Sequence, residues 1–134
     1  MSCTLAILKP DAVEAGNVGN ILSNLEAAGF KIRAMRMTRL TSAQAGSFYA
    51  VHRERPFFES LVTFMTSGPI VPLVLESEDA VSKLRQVIGA TDPAEAEEGT
   101  VRRLFAQSKE RNSIHASDSD ENASVEIGFL FSEH

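Results

Sequence analysis

Apolar positions fall in short groups whose spacing changes along the chain, and the spacing predicts the elements. Cys3 to Leu8 is a compact apolar run closed by Lys9-Pro10; it predicts a buried strand that the proline ends. Between Asn17 and Ala28, Val18, Ile21, Leu22 and Leu25 recur at helical spacing, and Gly29 stands just past the end. Phe30 to Leu40 alternates as a strand. Phe30, Ile32 and Ala34 share one phase and Met35 and Met37 the other, which predicts a bulge near Ala34. Thr41-x-x-Gln44 is a capping box opening a helix through Tyr49. Pro56 suits the first turn of a further helix with Phe57, Phe58, Leu61, Val62 and Met65 as its apolar set, broken by Ser67-Gly68-Pro69.

Ile70 to Leu75 predicts another apolar strand, with Pro72 pointing to an edge or a bulge. Ser77 can cap a helix to Ile88 with Val81, Leu84 and Ile88 inward. Gly89 to Gly99 predicts a loop, Thr100 to Ala106 at least one helical turn, and Gln107 to Ser117 irregular chain. Ser119 caps a last helix with Asp120 and Glu121 in its first turn, and Glu126 to Phe131 is strongly apolar. Mixed elements on a short chain, with strands too far apart for a meander, predict an α/β (α+β) two-layer sandwich of ferredoxin type. Its four-stranded antiparallel sheet would be covered by helices; the pattern locates three of the strands.

Length and composition add limits. At 134 residues, 43% hydrophobic and 23% charged, residues 1–134 read as a single domain able to bury a core. A net charge of −5 argues against broad binding to a phosphate backbone, while leaving room for a local basic pocket. With one tyrosine and no tryptophan, it also weighs against an RNA-binding sandwich. The lone cysteine, Cys3, allows neither an intrachain disulfide nor a Cys/His metal framework and fits a reducing compartment. No apolar run approaches a membrane span and no leader pattern is visible, so the expectation is a soluble cytoplasmic protein without membrane or nucleic-acid partners.

Three histidines are candidates for chemistry. His134 is terminal, and His52, in "VHRERP", reads as a solvated ring. His115 lies in "ERNSIHASDSDEN", a polar, loop-like stretch before a helix start, which alone does not decide between a solvated ring and a nucleophile. An imidazole near its ordinary pKa of about 6.5 is largely neutral at pH 7 and needs no activating base. It does need one nitrogen free and the other held by an acceptor, for which Glu126 is a candidate; by itself Glu126 reads as an exposed helical carboxylate.

Phosphoryl transfer would further need cations and a metal. Lys9 directly follows a strand, Arg85 and Arg102 flank the long loop, and Thr91 lies in it, although each arginine alone reads as a solvated helix residue. The Arg33, Arg36 and Arg39 cluster reads as a solvated face. No glycine-rich Walker loop is present. Tyr49 reads as helix-core packing. Phe57 and Phe58 point to different sides of a helix, so one can offer a ring face on which a base stacks.

"LAILKPDAV", "FYAVHRERPFF", "FMTSGPIV", "GATDP", "GTVRRLFA" and "RNSIHASDS" resemble, in order and spacing, the motifs of nucleoside diphosphate kinases, from about Thr4 to Phe131. The resemblance implies a ferredoxin-like sandwich. It also implies transfer of the γ-phosphate of a nucleoside triphosphate, typically ATP, to a nucleoside diphosphate, by ping-pong through a phosphohistidine, maintaining NTP and dNTP pools. By that match His115 is the nucleophile, attacking through Nδ1, and Glu126 holds the other ring nitrogen. Lys9, Tyr49, Arg85, Thr91, Arg102 and Asn112 match phosphate- and ribose-binding positions, and Phe57 the ring on which the base stacks. Mg2+ would arrive on the nucleotide with few or no protein ligands. A homo-oligomer, tetramer or hexamer, is implied, the loop with Pro93 being a subunit contact in hexamers.

The chain departs from the pattern at Ala116, where a glycine usually follows the histidine, and at Leu104, where an acid is frequent; Ser113 and Ile114 read as ordinary variation. If residue 116 needs a positive φ, alanine is strained there.

Overall fold

In the computed structural model the described residues are 1–131. Four strands, β1 (Ser2–Leu8), β2 (Lys31–Met35), β3 (Val71–Ser77) and β4 (Ile114–Ala116), form one sheet in the order β2-β3-β1-β4. Every neighbouring pair is antiparallel, so the ferredoxin-type α+β arrangement is present. Among the described residues seven α-helices accompany it: α1 (Pro10–Glu14), α2 (Val18–Ala27), α3 (Ser42–Phe48), α4 (Phe58–Met65), α5 (Ala80–Ile88), α6 (Val101–Phe105) and α7 (Asp120–Leu130).

β1 is apolar from Leu5 to Leu8 because both of its faces are buried there. Ala6 and Leu8 enter a core with Ile21 and Leu25 of α2 and Leu84 and Ile88 of α5. Leu5 and Ile7 enter a second core with Ala45 of α3, Phe64 and Met65 of α4 and Leu130 of α7. The sheet is therefore covered on both sides. His115 is paired with Ile7, and its ring meets Phe48 and Tyr49 on the second side.

The capping box at Thr41 is complete: its hydroxyl accepts from the Gln44 amide and the Gln44 side chain accepts from the Thr41 amide. Gly29 has φ 98, as the end of α2 requires. Ser119 caps α7 by accepting from the Asn122 amide. The register shift in β2 falls between Ile32 and Ala34, so Ile32 packs on the first core and Ala34 on the second.

Several expectations are corrected. β4 lies inside the stretch expected to be irregular; three residues are too few to show a period. α1 begins at Pro10 and was not legible. β2 is shorter than 30–40, leaving a single bridge from Thr38 to Ile70 beyond it. α4 starts at Phe58, so Pro56 sits in the preceding turn. Ser77 ends β3 and caps nothing: Asp79, at φ 48, precedes α5 without a side-chain cap, and the Ser77 hydroxyl accepts from Lys83 Nζ.

Pro72 lies in an interior strand rather than at an edge. Its carbonyl accepts from the Arg36 amide just past the end of β2, so its missing N–H falls in the gap between that strand and the Thr38–Ile70 bridge. Arg36 is not simply solvated, because its guanidinium donates to the Leu130 carbonyl and lies 5.4 Å over the Phe131 ring. His134 lies outside the described residues.

Candidate active site

β4 is short but tied at both ends to the neighbourhood of β1. The Lys9 amide donates to the Ser113 carbonyl at 2.9 Å, and the Ser117 amide donates to the Leu5 carbonyl at 3.1 Å. Between them His115 opens onto a cleft of about 530 Å³. Its walls come from the end of α3 and the following turn (Tyr49, His52), from Arg85 at the end of α5, from Thr91 in the loop, and from Glu126 of α7.

His115 Nε2 meets Glu126 Oε1 at 3.0 Å, and both side chains are 19% exposed. Among the described residues, Nδ1 has no hydrogen-bond partner. A carboxylate on Nε2 favours the tautomer that keeps the proton there and leaves the Nδ1 lone pair available. Phe48 and Tyr49 meet the imidazole edge to face, with centroids 5.4 and 6.0 Å away, and limit its rotation.

Sequence reasoning missed Ser117. Its hydroxyl donates to the same Glu126 oxygen at 2.7 Å, so one carboxylate oxygen serves both residues. The signal was the spacing: positions 115 and 117 of a strand share a face.

Lys9, only 7% exposed, donates from Nζ to Asn112 Oδ1 at 2.8 Å. Burial, then the nearby Arg102 charge, lowers its pKa to about 8, against the opposing pull of Asp11 and Glu110. Asn112 in turn donates to the Lys109 carbonyl at 2.9 Å and to the Thr91 carbonyl at 3.4 Å. Arg102 donates to the Gly89 and Ile114 carbonyls at 3.1 and 2.8 Å, and its buried Nε has no partner among the described residues. Burial, then Arg85, brings Arg102 down to about 10, so it stays charged at neutral pH. The Tyr49 hydroxyl is buried without a partner among the described residues; burial, then Glu126, raises its pKa. Its helix-packing reading holds as well, since Tyr49 belongs to the second core.

The structure thus brings His115, Glu126, Tyr49, Arg85 and Thr91 to one cleft. Arg102 joins Arg85 and Thr91 around an adjoining cavity of about 460 Å³. Lys9 and Asn112 line neither cavity and stand behind the loop. Phe57, 47% exposed, lies outside the cleft lining and reaches it through His52, whose ring is 5.4 Å away. Phe58 packs on the second core, so the two adjacent rings divide as expected. His52 is therefore a cleft residue rather than a free surface ring.

Ala116 lies in β4 without a positive φ, and the feared strain is absent. The left-handed residue of this stretch is instead Ser113, at φ 74 and fully buried. Leu104 projects from α6 into solvent, and nothing in the structure explains the loss of an acid there. Among the described residues no three His, Cys, Asp or Glu side chains gather as a metal cage, and no helix is long and apolar enough to cross a membrane.

The family model for nucleoside diphosphate kinase matches residues 2–134. The chain belongs to the nucleoside diphosphate kinase family. It is 59% identical over 132 residues to the nucleoside diphosphate kinase of Chlorobium limicola, covering 98% of this chain and 94% of that one. Among solved structures, the Aquifex aeolicus nucleoside diphosphate kinase superposes with a TM-score of 0.95 at 51% identity, covering 97% and 94% of the two chains. A halophilic nucleoside diphosphate kinase from Halobacterium salinarum, solved in complex with CDP, gives 0.93 at 37% identity, covering 97% and 87%. The protein is accordingly a phosphotransferase that moves phosphate from a nucleoside triphosphate to a nucleoside diphosphate.

Proposed function

We propose that this kinase works by ping-pong through a phosphohistidine at His115. Nδ1 attacks the γ-phosphorus of a nucleoside triphosphate, typically ATP; the new N–P bond forms as the bond to the nucleoside diphosphate leaving group breaks. An acceptor nucleoside diphosphate then attacks the same phosphorus and regenerates the imidazole. The observation that carries this reading is the His115–Glu126 contact at Nε2, which leaves Nδ1 without a partner among the described residues and facing a cleft.

Positive charge develops on the imidazole during attack, and Glu126 stabilises it without reorganising. Arg85 and Thr91 stand in the same cleft, and Arg102 beside them carries a buried Nε with no partner among the described residues, so these groups would hold phosphate oxygens. Lys9 and Asn112, already in contact, would reach phosphate and ribose by exchanging that partner. Tyr49 would steady the imidazole and a phosphate. Phe57 offers an exposed face to a base; stacking reads no base edge, so many bases would be accepted.

Mg2+ fits as part of the ligand, carried on the nucleotide phosphates: the cleft's two carboxylates are Glu126, engaged by His115 and Ser117, and Asp118, and among the described residues no three such ligands gather as a cage. When bound it neutralises charge on the transferring phosphoryl group. In the cell we place this activity in the cytoplasm, maintaining NTP and dNTP pools, in a homo-oligomer of four or six subunits acting on small nucleotides rather than on nucleic acid or membrane.

The test is to incubate the protein with γ-labelled ATP and Mg2+. The label should become acid-labile and alkali-stable on protein, move to added GDP, and be absent in His115→Ala. Wild-type protein that binds ATP and transfers phosphate to GDP without ever holding label would overturn the ping-pong reading.

A further inference from the structure

We infer that Asp11 is a positioning residue for the reaction: its carboxylate clamps the left-handed turn at Ser113 and thereby fixes the strand that carries His115. The inference rests on the reading of His115 as nucleophile.

A serine at φ 74 is in a conformation that L side chains seldom adopt, and it persists only when its surroundings hold it there. Asn or Asp would support such a turn through their own side chains. Ser113 does not, since its hydroxyl is buried without a partner among the described residues. The grip comes from outside. The Ser113 amide donates to Asp11 Oδ2 at 3.0 Å, and its carbonyl accepts from the Lys9 amide at 2.9 Å. With the Lys9–Asn112 side-chain contact, residues 9 and 11 hold 112 and 113 at three points.

Asp11 is 2% exposed, and its Oδ1 has no partner among the described residues. Keeping a carboxylate there works against desolvation, which raises its pKa although the Ser113 amide and Lys9 pull the other way. Such burial is tolerated where the acceptor is needed. The lever is short. His115 lies two residues beyond Ser113, while the backbone of Glu126 belongs to α7 and not to that strand. Release of the turn shifts the strand against α7 and strains the 3.0 Å contact between imidazole and carboxylate. Asp11 itself lines no part of the cleft, so nucleotide binding does not depend on it directly.

The experiment compares Asp11→Ala, Asp11→Asn, each combined with Ser113→Gly, and His115→Ala, reading kcat and KM for phosphate transfer. Displacement of about an ångström at a reacting group lowers turnover on the order of 100-fold. Asp11→Ala should show a kcat loss of that order with KM little changed. Asp11→Asn, still an acceptor, should lose less. Ser113→Gly should recover much of the loss in either background, because glycine adopts positive φ without a clamp. If Asp11→Ala does not fold, the Asp11→Asn pair carries the comparison. Wild-type kcat in Asp11→Ala, or no recovery by glycine, overturns the inference while an inactive His115→Ala keeps the nucleophile reading. An active His115→Ala overturns both.

Discussion

Replacing Ser117 by alanine removes one hydrogen bond and little else, and the structure gives both the sign and the size of the effect. The Ser117 hydroxyl and His115 Nε2 share Glu126 Oε1, at 2.7 and 3.0 Å. Two consequences oppose each other. Without the serine, the oxygen's charge is less shared, which strengthens its pull on the imidazole. Without it, the carboxylate also loses the donor that fixes its rotation, and at 19% exposure it can turn toward water. Orientation should win, because attack by Nδ1 needs the ring held in one plane while charge develops.

A hydrogen bond to a charged acceptor contributes ~1.5–3 kcal/mol, and ~1.4 kcal/mol is a factor of ten in rate. Part of that bond is present before attack and does not count toward the barrier. The expected loss in kcat is therefore about tenfold, with KM unchanged, since Ser117 lines no cavity that a nucleotide enters. Stopped-flow or coupled steady-state transfer measurements at saturating nucleotide read it directly. The fold should lose only about 1 kcal/mol, because Glu126 is exposed enough to hydrate. An unchanged or raised kcat in a stably folded Ser117→Ala would show that the His–Glu contact needs no support.

Three further outcomes follow from burial and backbone. Lys9 titrates at about 8 in the folded nucleotide-free protein and near its ordinary 10.5 when unfolded. The unfolded chain then holds more protons between those values, so this group's contribution makes stability rise with pH from about 8 to 10.5. Nucleotide affinity should move the opposite way, with kcat/KM falling above pH 8 as the cation is lost; Lys9→Arg should flatten that limb, and a limb unchanged in Lys9→Arg assigns it to another group. Gly89 closes α5 at φ 88, and a methyl there would lie 2.8 Å from the Thr100 side-chain carbon. Gly89→Ala should cost about 1–3 kcal/mol in urea unfolding and displace the carbonyl that holds Arg102; an unchanged midpoint would show that the loop yields freely.

Much of the fold was legible where burial imposes a period. β1, α2 and the core face of α5 have enough residues for the pattern to show, and the caps at Thr41 and Ser119 announce their helices. Elements too short to carry a period and without a side-chain cap were not legible: α1, with five residues, and β4, with three, whereas the equally short α6 is announced by Thr100. β4 forms because its two ends are tied to β1 and Lys9, a long-range cause that no local window contains. The same limit explains Ser77, which becomes the end of a strand instead of a cap. In the site, His115, Glu126, Arg85 and Thr91 were identified by motif, and the structure brings them to one cleft. Asp11 and Ser117 escaped notice because their work is to hold other groups, and such roles appear only once partners separated by up to 102 positions meet.

The histidine stands in a sheet, with its flanking residues bonded to the adjacent strand, rather than on a loop. It is a fixed post and not a swinging arm: on the proposed chemistry it cannot carry its cargo from one station to another. Giver and receiver must then occupy one seat by turns, in the same pose, and each excludes the other while it sits. A seat shaped for both cannot favour either strongly, so both halves of the transfer run through the same contacts, while the nucleotides around the protein, as for any catalyst, set the direction of flow.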